Sequence, residues 1–402
     1  MRNRNPSQAN RAPRGLRIGI LTYGMGKELT GIGTYTRDLT YAVREASPET
    51  EIILLNPHPE STLDWYNDFP VLALPMLATP APMVALGAMV LAWVSRRLGL
   101  DILHDACNIA PFLAPRLGVR RVVTVYDTIP LLAPQAYPLM HRVAYRTFIP
   151  AARWTADAVM TVSEESARDI SRLTGIPRHK VHVTYPGIRL PSEQELAGWR
   201  NKVPEVLSQF GITEPYFLYP GALNPRKNMV RVTQAFESLL QRDSEVQLVL
   251  VGPNSWPSEK VERAAARIGR RLLRLGYVDA ETLHILYTGA RAVVYVSLYE
   301  GFGFPVLEAM AHGTAVITSN RSSLPEVAGD AGLLVDPTEP GEIEGAMDRL
   351  LSDRFLASSL SERGRNRAAE FSWARSAQEA LRVYRAVAGC PSPPNPEHIG
   401  SD

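Results

Sequence analysis

Short apolar runs recur along the chain, and between them apolar residues return at helical three- and four-residue spacing. In the first half the runs Leu16–Tyr23, Glu51–Leu55, Asp101–Asp105, Arg121–Tyr126, Ala158–Val162 and His182–Tyr185 read as strands. In the second half the strand candidates are Tyr216–Tyr219, Val246–Val251, Ala292–Val296, Ala315–Thr318 and Leu333–Val335. Several are apolar on consecutive residues, the pattern of strands covered on both faces in a parallel sheet. Helical patterns follow Gly33 through Asp38, Leu39 and Val43, and run over Met140–Arg153, Met229–Leu240, Ser258–Leu272, Ala280–Tyr287, Gly341–Leu351 and Trp373–Val387. Regular alternation of strand and helix predicts α/β domains with right-handed crossovers.

The stretch from Pro191 to Gly211 is polar, lacks a strand and carries a helical pattern near Gln194–Phe210. It separates the two alternating halves and sets the expected domains at 15–195 and 196–372. The basic, polar opening residues 1–14 have no apolar segment behind them, so a secretory signal is not expected; they read as a disordered leader. The proline-rich residues 389–402 read as a disordered tail. From Phe69 to Ser95 there is no charged residue, but four prolines interrupt the first half. The remainder, Met83–Val94, is about half of the ~20 residues a membrane span needs. It reads either as a half-buried helix or as one lying on a membrane.

Composition narrows the class. The 402 residues are 45% hydrophobic and 21% charged, an ordinary globular balance for two domains. Two cysteines, Cys107 and Cys390, exclude a disulfide scaffold. A net charge of +2 gives no argument for nucleic acid, and no nucleic-acid partner is expected.

In open α/β sheets ligands bind beyond the carboxyl ends of the strands, and four candidate loops fall there. Gly31 and Gly33 sit between the first strand and its helix, where glycines admit close approach to free N–H groups. Val125-Tyr126-Asp127-Thr128 ends a strand with a carboxylate that is either functional or a cap. In Gly221-Ala222-Leu223-Asn224-Pro225-Arg226-Lys227-Asn228 two cations stand at a helix start, where the helix dipole prefers anions; a bound diphosphate resolves that conflict. In Glu300-Gly301-Phe302-Gly303-Phe304-Pro305-Val306-Leu307-Glu308 glycines lie between two carboxylates, and Pro305 suits a first helical position.

The run from Glu300 to Pro337, with GALNPRKN upstream, resembles the retaining glycosyltransferases of family 4. The resemblance covers roughly Leu16 to Val387. It implies the α/β GT-B architecture, two Rossmann-like domains facing a central cleft, with the C-terminal helix (373–388) crossing back to the first domain. It implies that Arg226 and Lys227 hold the diphosphate of a nucleotide-sugar donor, with Asn228 beside them. Glu308 would take the ribose hydroxyls and Glu300 the donor sugar. Phe302, Gly303 and Phe304 would offer backbone N–H groups, and the Gly31–Gly33 loop would border diphosphate or acceptor. Within the family the chain looks most like bacterial mannosyltransferases of polysaccharide assembly. The expected acceptor is a glycan or lipid-linked glycan, with the protein cytoplasmic or peripheral at the inner face of the membrane.

No cofactor is expected beyond the donor itself. There is no Asp-x-Asp, so the Arg–Lys pair is read as replacing a metal ion. One departure stands out: the family's usual His-Asp is Tyr126-Asp127 here, which removes a group titrating near neutrality and raises the prospect of a donor sugar other than mannose. His104, upstream at a strand end, is a site or structural histidine. The competing functions are a non-catalytic nucleotide-sugar scaffold and a GT-B epimerase; a phosphorylase is disfavoured because no cofactor-lysine motif is found. His179 and His182, spaced H-x-x-H, read as turn and strand rather than a metal pair. Arg267, Arg270, Arg271 and Arg274 read as a solvated cationic stripe on one helix, with contact to an anionic membrane the alternative.

Overall fold

The computed structural model describes residues 15–26, 29–108, 118–132, 139–213, 215–222, 224–242, 245–253 and 259–390. The expected leader, the tail beyond Cys390, Leu223 of the basic loop and Ser258 lie outside the described residues. By its contacts the chain divides into two units. One holds the chain to Val162, Ala167–Pro186 and the chain from Trp373; the other holds Ser163–Ser166 and Gly187–Ser372.

The first unit carries β1 (Arg17–Leu21), α1 (Gly31–Ala46), β2 (Glu51–Asn56), β3 (Val71–Ala73), α2 (Pro80–Leu98), β4 (Ile102–Asp105), β5 (Arg120–Thr124), α3 (Ile129–Leu132), α4 (Leu139–Thr155), β6 (Ala158–Thr161), α5 (Glu164–Thr174) and β7 (Val181–Val183), with α5 starting in the four residues grouped with the second unit. Its seven strands are parallel in the order β3-β2-β1-β4-β5-β6-β7. The strand faces divide the helices. Leu21, Leu103 and Val123 join a cluster with Leu91 and Val94 of α2, Ile149 and Ala152 of α4, and Ile170 of α5. Ile18, Ile20 and His104, alternate residues of the same strands, face α1 and the C-terminal helix across a small apolar cavity.

The second unit carries α6 (Glu193–Phe210), β8 (Tyr216–Pro220), α7 (Met229–Leu239), β9 (Gln247–Val251), α8 (Glu259–Ile268), β10 (Leu272–Gly276), α9 (Ala280–Gly289), β11 (Ala292–Tyr295), α10 (Phe304–Ala311), β12 (Val316–Ser319), α11 (Leu324–Ala328), β13 (Leu333–Val335), α12 (Pro340–Ser352) and α13 (Arg354–Ala369). Its six parallel strands run β10-β9-β8-β11-β12-β13. Phe217, Leu248, Val294 and Ile317 are wholly buried in its core. The final helix, α14 (Trp373–Ala388), belongs to the first unit, where it packs along α1 and buries Ala377, Ala380, Leu381 and Tyr384.

Three readings of the sequence are corrected here. The division falls at Pro186/Gly187 rather than 195/196, because α6 packs on α9 and belongs wholly to the second unit. A capping box, with Glu195 N donating to Ser192 Oγ and Ser192 N donating to Glu195 Oε2, starts that helix. The helix expected through Leu272 ends at Ile268: Gly269 turns left-handed at φ +60°, and Leu272–Gly276 pairs beside β9 as an edge strand. The arginines read as one stripe are therefore split among α8, a 3-10 turn and β10, and Arg267, Arg271 and Arg274 pair with Glu237, Glu245 and Glu262.

Candidate active site

In both sheets the strand order reverses beside the unit's first strand. β1 lies between β2 and β4, and β8 between β9 and β11. Such reversals open a crevice at the carboxyl ends, because the two adjacent loops leave in opposite directions. In the second unit the flanking loops are the basic segment after β8 and the glycine-rich segment after β11.

The basic loop is built to hold its cations still. Pro225–Lys227 forms a 3-10 turn capped by Asn224, whose Oδ1 accepts from Lys227 N at 3.2 Å. Asn228 closes it in the left-handed conformation, φ +65°, a region asparagine tolerates better than most side chains. The Asn228 amide is buried and donates to Val296 O at 3.1 Å and Pro337 O at 2.6 Å. Asn228, expected at the donor, is thus a strut that fixes the turn. Arg226 Nη1 donates to Tyr299 O at 2.6 Å and meets Glu300 Oε2 at 2.6 Å; Lys227 Nζ meets Glu300 Oε1 at 2.7 Å. Tyr295, which the sequence did not single out, donates its hydroxyl to Glu300 Oε1 at 3.0 Å and accepts from Lys227 Nζ.

One carboxylate therefore bridges both cations. Burial alone pushes Glu300 up, but Lys227 and Arg226 outweigh it and hold the carboxyl down at about 2. Lys227 is lowered, first by burial and also by Arg226, against the opposing pull of Glu300. The site carries a net positive charge in a shielded place, with Arg226 the more open of the two cations.

The glycine-rich loop has its carbonyls tied from behind. Ser322 and Ser323 donate to Glu300 O, Ser323 to Phe302 O at 2.6 Å, and Ser163 to Gly301 O at 2.7 Å. The N–H groups of Gly301, Phe302, Gly303 and Phe304 make no hydrogen bond among the described residues. They form a run of donors at the start of α10, the arrangement that receives anions and hydroxyls. Gly303 has φ +120°, and a Cβ there would lie 2.6 Å from Leu324 Cδ2, so only glycine fits. Phe302 is buried edge-on to Phe304 and Phe371 and anchors the loop by its ring.

Glu308 lies one turn into α10, half-buried, with Oε2 accepting from Tyr287 Oη at 2.7 Å. Burial raises its carboxyl, and the Tyr287 hydroxyl partly restrains it. Behind it His312 Nδ1 meets Glu308 O at 2.7 Å and His312 Nε2 meets His284 Nδ1 at 2.9 Å. A carbonyl can only accept, so in the neutral pair His312 carries its proton on Nδ1 and His284 donates to His312 Nε2. Trp199 stacks on His284 at 4.5 Å.

In the first unit, α1 starts at Gly31 without a side-chain cap, and a Cβ at Gly31 would meet nothing. Gly33 differs, since a Cβ there would lie 2.8 Å from Leu29 Cδ2. Tyr126 is buried: its hydroxyl donates to Ala106 O at 2.9 Å and lies 3.2 Å from Thr36 Oγ1, and its ring meets Tyr35 edge-on. Asp127 Oδ1 accepts from Ile129 N at 2.9 Å, which is a capping role at α3. His104 has both ring nitrogens engaged, by Tyr384 Oη and Thr124 Oγ1, and burial lowers it to about 3; it is a neutral structural histidine. Asp105, missed in the sequence, ends β4 beside β1 with a wholly buried carboxyl that burial raises to about 8. His179 lies on a 3-10 turn and His182 on β7. Among the described residues no His, Cys, Asp and Glu cluster could hold a metal ion, and no helix is long and apolar enough to cross a membrane.

Comparison with known proteins fits this geometry. The family model Glycosyltransferase Family 4 matches residues 29–190, and Glycosyl transferases group 1 matches 206–367. The O-antigen chain mannosyltransferase B of Escherichia coli is 32% identical over 308 residues, 74% of this chain and 77% of that protein. The MMP alpha-(1->4)-mannosyltransferase of Mycolicibacterium hassiacum is 27% identical across 93% of this chain and 99% of its own. Among solved structures, HepE of Anabaena, in complex with UDP and glucose, superposes with a TM-score of 0.70 over 92% of this chain and 100% of its own at 18% identity. The chain belongs to the group 1 glycosyl transferases of glycosyltransferase family 4. It is a glycosyltransferase of the GT-B fold, as the resemblance implied.

Proposed function

We propose that the protein transfers mannose or a related hexose, with retention, from a nucleotide-diphosphate sugar, GDP-mannose foremost, to a glycan or lipid-linked acceptor in polysaccharide assembly. The observation that carries the proposal is the Arg226–Lys227–Glu300 cluster at the β8/β11 crevice, with four N–H donors beside it that have no partner among the described residues. The two mannosyltransferase relatives support the choice of sugar. As the glycosidic bond breaks, its electron pair goes to the diphosphate. Arg226 and Lys227, already fixed by the Asn224–Asn228 turn, stabilise that charge without reorganising. Glu308 receives the ribose hydroxyls, and Glu300, displaced from the cations by the incoming diphosphate, turns to the sugar.

Two immobilised cations supply the charge that a divalent ion supplies elsewhere, so turnover is expected to persist in EDTA. The test is a titration with GDP- and UDP-sugars in EDTA, reading binding and nucleotide release with glycan acceptors present. One donor is expected to turn over, and Arg226→Ala to lose about 10²–10³ in kcat, ~2.7–4 kcal/mol by analogy with oxyanion donors. Metal dependence, or an unaffected Arg226→Ala, overturns the assignment. Tyr126→His, tested on the same panel, asks whether the buried hydroxyl sets the choice of donor. Binding of a donor with no release for any acceptor would favour the scaffold reading.

A further inference from the structure

Two helices of the first unit turn apolar side chains outward. On α2 the exposed residues Leu86, Met89 and Trp93 recur at helical spacing, with Trp93 59% exposed. On α4 Val143 and Trp154 are exposed, Trp154 by 69%, with exposed Arg146 between them. The opposite faces of both helices, through Leu91, Val94, Ile149 and Ala152, enter one buried cluster under the sheet. Both stripes therefore look out from the same side of the unit. Their charge has one sign: α2 carries Arg96 and Arg97, α4 carries Arg142, Arg146 and Arg153, and neither helix contains an Asp or Glu. The carboxylates just beyond the two helices are engaged inward: Asp101 accepts from Arg17 N, and Asp157 from Arg120 and Arg121 N. Each tryptophan has an arginine beside it, Arg97 at 5.3 Å from the Trp93 ring and Arg153 at 5.5 Å from the Trp154 ring.

We propose that this α2–α4 face docks on an anionic lipid bilayer. Neither helix can span one, because half of each is committed to the core; each lies in the interfacial plane. Tryptophan beside arginine is the pairing suited to that plane, with the ring at headgroup depth and the guanidinium on lipid phosphate. A lipid surface matches both the one-signed charge and the two outward apolar stripes. The proposal deepens the lipid-linked half of the acceptor reading above, and its test uses no sugar chemistry, so either can fail without the other.

The test is flotation of the full chain with vesicles of phosphatidylcholine alone or mixed with phosphatidylglycerol, at low and high salt. We expect binding to the anionic vesicles, weakening with salt. Trp93→Ala/Trp154→Ala, which removes only exposed rings, should weaken it at least about tenfold. Arg97→Glu/Arg146→Glu should weaken it at least about tenfold, since each cation near an anionic surface is worth about fivefold. Unchanged melting temperatures and unchanged nucleoside diphosphate binding confirm that both variants are folded. No flotation with anionic vesicles overturns the proposal, as does flotation insensitive to both variants. Dimerisation of wild type in sedimentation velocity, lost in the tryptophan variant and without flotation, also overturns it and makes the face a contact between copies.

Discussion

Glu300 holds two opposing roles in one side chain. While no diphosphate is bound, it pairs with both Arg226 and Lys227 and offsets one of their two charges. Its folded carboxyl lies at about 2, below its ordinary 4.5, so its contribution is full above 4.5 and is lost as pH falls toward 2. That shift corresponds to stability on the order of 3 kcal/mol. Glu300→Gln should lower the melting temperature at pH 7 and flatten its acid dependence between 4.5 and 2, read by calorimetry. The same variant leaves two cations without their counter-ion. Added nucleoside diphosphate should bind it about tenfold more tightly than wild type, ~1.4 kcal/mol, and raise its melting temperature further. Glu308 tests the other carboxylate. Tyr287→Phe removes the hydroxyl that restrains its pKa, so the acid limb of donor binding should move to higher pH, measured as affinity against pH. The residue types of this site were legible in the sequence, because Arg226, Lys227, Glu300 and Glu308 sit at fixed places after strands. That one carboxylate bridges both cations was not legible, since it depends on Tyr295 and on the β8/β11 adjacency. The cap that Asp127 makes was one of its two readings, whereas the Asn228 bonds to Val296 O and Pro337 O are set by backbone geometry that no spacing reveals.

Elements were legible where burial was two-sided. The central strands β1, β8, β9 and β11 appear as continuous apolar runs because both faces are covered. Two edge strands escaped, β3, three residues in a proline-rich stretch, and β10, LLRLG, which continues a helical spacing across Gly269, whereas the edge strands β7 and β13 were read near His182–Tyr185 and at Leu333–Val335. Short or half-exposed strands leave too few apolar positions to set a period. At α10 the start rests on one glycine. Gly303→Ala combines a positive φ with a 2.6 Å approach to Leu324, and should destabilise the second unit by about 1–3 kcal/mol. Donor binding should weaken with it, because a strained Gly303 shifts the loop that carries the N–H donors; thermal melts and titration with nucleoside diphosphate check both effects.

At the scale of the molecule, the first unit is not contiguous in sequence. Its sheet ends at β7, yet its second helical layer is α14, nearly two hundred residues onward, packed on α1 with Tyr384 Oη bonded to His104. Removing the chain from Trp373 should strip protection from α1 and β4 in hydrogen exchange while leaving the core strands of the second unit protected. Synthesis runs in one direction, and this order has a consequence for the nascent chain. The second unit has its own core complete once Ser372 is made, whereas the first unit waits with the α1 face uncovered until the last helix leaves the ribosome. The domain begun first is finished last, and during that interval an apolar groove on the growing chain is open to chaperones and to neighbouring nascent chains.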